Sequence, residues 1–273
     1  MRYRIFNILA LLFILNISLF AQRRDLIPPD PDNADVKIFR SINNLQCGLL
    51  NTVIPVTDKS ILFTSTLVPA GLFAYSRSQK NYYDENTAVL TALSEGLSAG
   101  ITFGLKNIFK RDRPFKTLSN VHYDKSRFLL DRYSFPSGHS AISFSMATSL
   151  TLRYPDEPVL ISVVYFYSTV IALGRIYLGV HYPSDVLAGM LIGSGSAAIV
   201  YSLRKEIIKG KNSLFREDGR EDINQKSIST GLILTSFIIS DAVNYFTDKI
   251  NLKRNINVEF NGFENRIDIS VGF

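Results

Sequence analysis

Residues 159–179 read VLISVVYFYSTVIALGRIYLG, and this stretch decides the fold class. A single charge, Arg175, sits near its end. About 20 largely apolar residues make a helix able to cross a bilayer. Working outward, further apolar stretches of helical length lie near 60–76, 88–108, 138–153, 183–203 and 228–246. The expected fold class is therefore all-α, a helical bundle with five to six membrane-spanning or membrane-like helices. The stretches at 60–76 and 138–153 are short and carry many Ser and Thr. With a modest mean hydropathy overall, a soluble bundle stays open beside the membrane one.

The flanks have different characters. Met1-Arg2-Tyr3-Arg4 precedes an apolar run over 5–20 and then Ala21. A basic start, an apolar core and a small residue read as a secretory signal over 1–21. The other reading is a first transmembrane helix, but Asn7, Asn16 and Ser18 interrupt the run. Residues 22–59 are expected to form a linker, with Pro28, Pro29 and Pro31, and an amphipathic helix; the helical domain is drawn at 60–247. In the tail, 248–273, Ile256, Val258 and Phe260 alternate, as do Ile267, Ile269, Val271 and Phe273, around Asn261-Gly262. That is the pattern of a small β-hairpin.

Composition narrows the chemistry. The 273 residues are 46% hydrophobic, which supports a real core and excludes disorder, collagen and a disulfide-built mini-protein. One cysteine, Cys47, and three histidines, His122, His139 and His181, supply neither a Cys-rich zinc site nor a His cage. No metal or cofactor is expected. The net charge of +6 favours anionic partners, with no nucleic acid expected among them. If residue 22 is outside a membrane and each stretch crosses once, then 109–137 and 180–182 lie outside and 204–227 inside. The last segment holds Arg204, Lys205, Lys209, Lys211, Arg216, Arg220 and Lys226, as the positive-inside tendency requires.

Three clusters carry candidate chemistry. In Lys106-Asn-Ile-Phe-Lys-Arg-Asp-Arg113-Pro114, two cations stand seven residues apart, so one helix face can present both to an oxyanion. Pro114 biases Arg113 away from helix. In Phe135-Pro136-Ser137-Gly138-His139-Ser140, a helix start offers free N–H groups and the positive end of the helix dipole, with a titrating His beside them. In Arg175-Ile-Tyr-Leu-Gly-Val-His181-Tyr-Pro-Ser-Asp185, a carboxylate four residues after a His can hold its ring. Each cluster alone is equally well explained as a basic helix flank, a capped helix or a surface His. The alternation of spans places all three on one face, which those separate explanations do not require.

These residues resemble the signature of the type 2 phosphatidic acid phosphatase superfamily, which also contains bacterial acid phosphatases and vanadium haloperoxidases. The signature is Lys, six residues, Arg-Pro; then Pro-Ser-Gly-His; then Ser-Arg, five residues, His, three residues, Asp. The chain carries KNIFKRDRP, PSGH and GRIYLGVHYPSD in that order, departing only at Gly174, where the family has Ser. Residues 35–43 resemble the family's N-terminal amphipathic helix more weakly.

The resemblance implies the family's bundle and a metal-independent phosphatase. His181 is the implied nucleophile, forming a phosphohistidine; Asp185 orients it; His139 protonates the leaving oxygen and then activates water. Lys106, Arg113 and Arg175 are the implied phosphate-binding cations, with Ser137 and the Gly138 N–H as further donors. The expected substrate is a lipid phosphate or pyrophosphate, such as undecaprenyl pyrophosphate or phosphatidic acid, at the periplasmic face of a bacterial inner membrane. A soluble periplasmic acid phosphatase on small phosphomonoesters is the alternative, and a vanadium-dependent haloperoxidase a more distant one.

Overall fold

The computed structural model describes residues 32–123, 131–217, 220–223, 229–254, 256–261 and 266–271. The signal-like segment 1–21 lies outside them. Helix α1 (Ala34–Asn43) begins where the Asn33 side chain accepts from Asp35 N at 2.9 Å. It buries Val36 and Phe39 on one side, as the amphipathic pattern requires. There follow α2 (Gly48–Ser78), α3 (Tyr82–Phe109), the short α4 (Pro114–Thr117), α5 (Gly138–Arg153), α6 (Pro158–Tyr177), α7 (Pro183–Ser202), α8 (Arg204–Leu214) and α9 (Ser229–Arg254). Strands β1 (Ile256–Asn261) and β2 (Arg266–Val271) pair antiparallel, Val258 opposite Ile269 and Phe260 opposite Ile267. The pairing ends at Asn261 opposite Arg266, and Gly262 of the expected turn lies outside the described residues.

The apolar stretches are helices, with differences of extent: α3 begins at Tyr82 rather than 88, and α9 runs to Arg254, past the boundary drawn at 247/248. α2 starts at Gly48, so a boundary at 59/60 falls inside it. Its third and fourth turns bury the polar Thr57, Asp58 and Ser60 just after Pro55, and apolar patterning does not mark such turns.

Helix α5 occupies the centre, packed on α3, α6 and α7. Its Ser140, Ser143, Ser145 and Ser149 are all buried. Small residues allow helix backbones to approach closely. The facing positions on α7 are Gly189 and Gly193. A Cβ on Gly193 would land on Ala141 O and stand 2.9 Å from Ser145 N; one on Gly189 would meet Ser140 Cβ at 3.0 Å. The stretch 138–153 is serine-rich because it faces other helices rather than lipid.

The periphery is different. Phe103, Ile108, Phe166 and Ile238 are each more than two-thirds exposed. Three segments, Tyr82–Thr117, Pro158–Tyr177 and Pro183–Ser202, are long and apolar enough to cross a membrane. At 1.5 Å per residue a 20-residue helix reaches about 30 Å, the thickness of the hydrocarbon core.

Helices α3 and α6 run towards the end of the bundle at which α5 and α7 begin. The opposite end is closed by ion pairs. Arg153 holds Asp222 at 2.7 Å, and Glu85 takes Lys211 at 2.7 Å and Arg77 at 3.1 Å.

The close α5–α7 contact is testable. Gly193→Val should destabilise the bundle by about 1–3 kcal/mol through overpacking, read as a lower Tm in detergent. Gly195→Ala, whose Cβ would meet nothing within 4 Å, should leave Tm unchanged or raised. An unchanged Tm for Gly193→Val would refute the contact.

Candidate active site

The first cluster does not lie on one helix face. α3 ends at Phe109, Lys110 turns left-handed at φ 50°, and Arg113 is extended at φ −80°, ψ 153° ahead of Pro114. The seven-residue spacing therefore acts through a turn. Lys106 and Arg113 still converge, because Asp131 Oδ1 stands 3.1 Å from Lys106 Nζ and 2.9 Å from Arg113 Nη2. Lys106 Nζ also donates to Tyr133 O at 2.7 Å, and Arg113 Nη1 to Val180 O at 3.0 Å.

The second cluster opens α5. Ser137 is the N-cap, its Oγ 3.4 Å from Ser140 N and 2.9 Å from Ser140 Oγ. Ser137 N donates to Asp185 O at 2.9 Å. Ser137 thus joins α5 to α7 through groups that were expected to face phosphate. The Gly138 and His139 N–H groups stand in the first turn, where the helix itself does not use them.

The third cluster turns sharply from α6 into α7. Gly179 takes φ +73°, and a Cβ there would stand 2.6 Å from His122 O, so the turn requires glycine. Beyond it Val180 N and His181 N both return to Arg175 O, at 3.2 and 3.3 Å. His181 is buried, with Nε2 3.3 Å from Arg113 Nη1. Its Nδ1 is 3.5 Å from Ser134 Oγ and 3.6 Å from Asp185 Oδ2. Asp185 Oδ2 accepts from Ser134 Oγ and, at 2.8 Å, from Tyr182 N. At Gly174, the departure from the motif, a Cβ would already meet Ile54 Cγ2 at 3.0 Å, leaving little room for Ser.

Other participants have partners that only the fold reveals. Asp58 on α2 accepts both contacts from Arg175 Nη1, at 2.8 and 2.7 Å. Arg111 spans two carboxylates, donating to Asp185 Oδ1 and Asp35 Oδ2 at 2.7 Å each. Asp35 also accepts from Ser184 N at 2.8 Å, tying α1 to the start of α7. Asn43 is fully buried and clamps the same corner, donating to Tyr177 O at 2.8 Å and accepting from His122 N at 3.0 Å. His122 itself is exposed. Glu95 lies about three turns from Lys106 along α3, lining a groove of about 600 Å³ with Pro69, Phe73 and Ile142.

The electrostatics favour neutral imidazoles. Burial, reinforced by Arg175, pushes the His139 imidazole down to about 3. Burial, then Arg113, Lys106 and Arg175, pushes His181 well below its ordinary value. A neutral His181 keeps a lone pair on one ring nitrogen. Among the described residues, no three His, Cys, Asp or Glu side chains gather to hold a metal ion. The arrangement brings a buried imidazole, a second imidazole and the cations of Lys106, Arg113 and Arg175 within electrostatic reach of one another.

The depressed imidazoles carry a sign. Unfolded histidines take up protons near pH 6.5, and the folded His139 and His181 do so only at lower pH. Stability is therefore full above about 6.5 and falls as pH drops below it, by up to about 1.4 kcal/mol per pH unit for each imidazole. Melting curves at pH 7, 6 and 5 should show this, with a shallower slope in His181→Asn. Identical slopes would contradict the depressed His181.

Comparison with known proteins identifies the family. The family model described as PAP2 superfamily matches residues 87–209. The Escherichia coli (strain K12) protein YbjG, provisionally named an undecaprenyl-diphosphatase, is 30% identical over 190 residues, covering 68% of this chain and 83% of that one. The undecaprenyl-diphosphatase of Sulfolobus acidocaldarius is 27% identical over 196 residues, covering 71% and 88%. In fold, the chain resembles the transmembrane PAP2-type phosphatidylglycerolphosphate phosphatase of Bacillus subtilis, with a TM-score of 0.52, 21% identity, and coverage of 73% and 96%. The bundle is that of a membrane protein, and three separated motifs meet at one end of it around a buried His. With relatives matched over most of their length, the chain belongs to the PAP2 superfamily and is a phosphatase.

Proposed function

We propose that the protein hydrolyses the phosphate or pyrophosphate of a membrane lipid, with a polyprenyl pyrophosphate such as undecaprenyl pyrophosphate as the leading substrate. The observation that carries this reading is the position of the pocket. Lys106, Arg113, Arg175, His139 and His181 gather at one end of helices long and apolar enough to cross a membrane. On this reading that end lies at the depth of the lipid headgroups. The names of the two undecaprenyl-diphosphatase relatives support the pyrophosphate class. The basic helix α8, with Arg204, Lys205, Lys209 and Lys211, follows α7 at the opposite end. This favours a pocket on the outer face of the inner membrane.

In this mechanism His181 Nε2 attacks phosphorus in line while the bond to the leaving oxygen breaks. The proton on Nδ1 faces Ser134 Oγ and Asp185 Oδ2, which support the positive charge that develops. His139 gives its proton to the leaving oxygen. It then takes one from the water that attacks the phosphohistidine, releasing phosphate and restoring His181. Lys106, Arg113 and Arg175 neutralise the charge spread over the phosphoryl oxygens. The Gly138 N–H adds a donor at the positive end of α5, and Ser137 fixes that end on Asp185 O. A bound phosphate dianion raises the His139 pKa from its resting value, readying it as the acid.

The decisive measurement is phosphate release by purified protein in detergent with EDTA, comparing undecaprenyl pyrophosphate with p-nitrophenyl phosphate. The expected result is undiminished turnover in EDTA with a strong preference for the lipid. Preference for the small ester would overturn the lipid assignment, and magnesium-restored activity the metal-independent one. His181→Ala should lose turnover while retaining part of its phosphate binding. Arg111→Lys, which cannot bridge two carboxylates in the same way, should lower kcat about 10- to 100-fold with little change in KM. A raised KM at unchanged kcat would place Arg111 on the substrate instead.

A further inference from the structure

The cations at this end of the bundle are each paired with a carboxylate of the chain. Arg175 is paired with Asp58, Arg111 with Asp35 and Asp185, and Lys106 together with Arg113 with Asp131. These carboxylates are not equivalent. The side chains of Asp185, Asp58 and Asp35 are 0%, 4% and 16% exposed, whereas Asp131 is 34% exposed. Asp185 and Asp35 also accept from backbone N–H groups. Among the described residues, the Asp131 carboxylate pairs with the two cations that the proposed mechanism gives to phosphate.

We propose that the Asp131 carboxylate competes with the substrate's phosphate for Lys106 and Arg113, holding the place between them that a phosphoryl oxygen takes when substrate binds. The inference rests on the reading of these cations as phosphate-binding. One Asp131 oxygen bridges the two cations at 3.1 and 2.9 Å, as an oxygen of a bound phosphate would. Its departure does not release the cations. Lys106 stays on Tyr133 O, and Arg113 on Val180 O and on the backbone O of Asp131. Half-open to water, the displaced carboxylate can be rehydrated at modest cost. Donors also remain for the incoming anion: Arg113 Nε and Arg175 Nε are buried with no hydrogen-bond partner among the described residues.

An internal competitor weakens every phosphate ligand by the same factor. Orthophosphate has only its charge to spend against it, whereas a lipid brings additional binding energy from its chain. The carboxylate thereby promotes release of product phosphate, while the lipid, held also by its chain, still binds; the ratio of the two affinities is unchanged.

The test is calorimetric titration of orthophosphate into the full-length protein in detergent, for the native chain, Asp131→Asn and Asp131→Glu. Asp131→Asn keeps the shape and removes the charge, and should bind orthophosphate about tenfold more tightly. Asp131→Glu restores a carboxylate and should return towards native affinity. A merely structural Asp131 would give weaker binding in Asp131→Asn, and that result, or unchanged affinity, overturns the inference while leaving the phosphate site intact. Absence of binding in all three proteins overturns the phosphate-site reading itself, and the inference with it. If Asp131→Asn does not fold, Asp131→Ser carries the same expectation; failure of both to fold marks Asp131 as structural and equally overturns it.

Discussion

A fully buried carboxylate must be surrounded by donors, and Asp185 obtains its donors from distant parts of the chain. Tyr182 N comes from its own turn, Ser134 Oγ from the approach to α5, and Arg111 Nη1 from the loop after α3. Its backbone oxygen takes Ser137 N in addition. Each partner carries one of the three motifs into place, so satisfying this one anion assembles the pocket. Leaving it unsatisfied would cost several kcal/mol. Arg111 extends the arrangement to Asp35, so that α1 becomes part of the same structure.

The helices can meet around Asp185 because the centre of the bundle is made of small residues. Serines on α5 and glycines on α7 bring two backbones close enough for Ser137 N to reach Asp185 O. At the far end, Arg153–Asp222 and Glu85–Lys211 fix the other helix termini. The molecule is therefore polar at both ends and in part of its middle, while its outer surface is apolar. This is the distribution expected where the surrounding solvent is hydrocarbon.

The same principle sets the chemistry. Fixed cations inside a low-dielectric bundle require partners even when no substrate is present, and here the partners are aspartates. Two imidazoles among those cations stay neutral, which suits a nucleophile and leaves the acid to be readied by the arriving anion. If these cations bind phosphate as proposed, the pocket contains its own counter-ions, and their differing exposure singles out Asp131 as the one to yield.

The sequence by itself determined the helices from their apolar lengths and the family from three motifs. It also determined the candidate His181, His139 and Asp185 from residue type and spacing. Those features are local, or repeat a fixed order along the chain. The tertiary structure alone decided that Lys106 and Arg113 meet across a left-handed turn, that α2 begins before its apolar face, and that Ser137 serves the α5–α7 junction. Asp58, Asp131, Ser134 and Asn43 carry no local signal, since an isolated polar residue reads the same on a surface as in a core. Arg111 stood inside a recognised motif, yet its role depends on Asp35 and Asp185, 76 and 74 positions away. Pairing between charges is set by where the chain returns in space, and that is fixed only when the helices have packed.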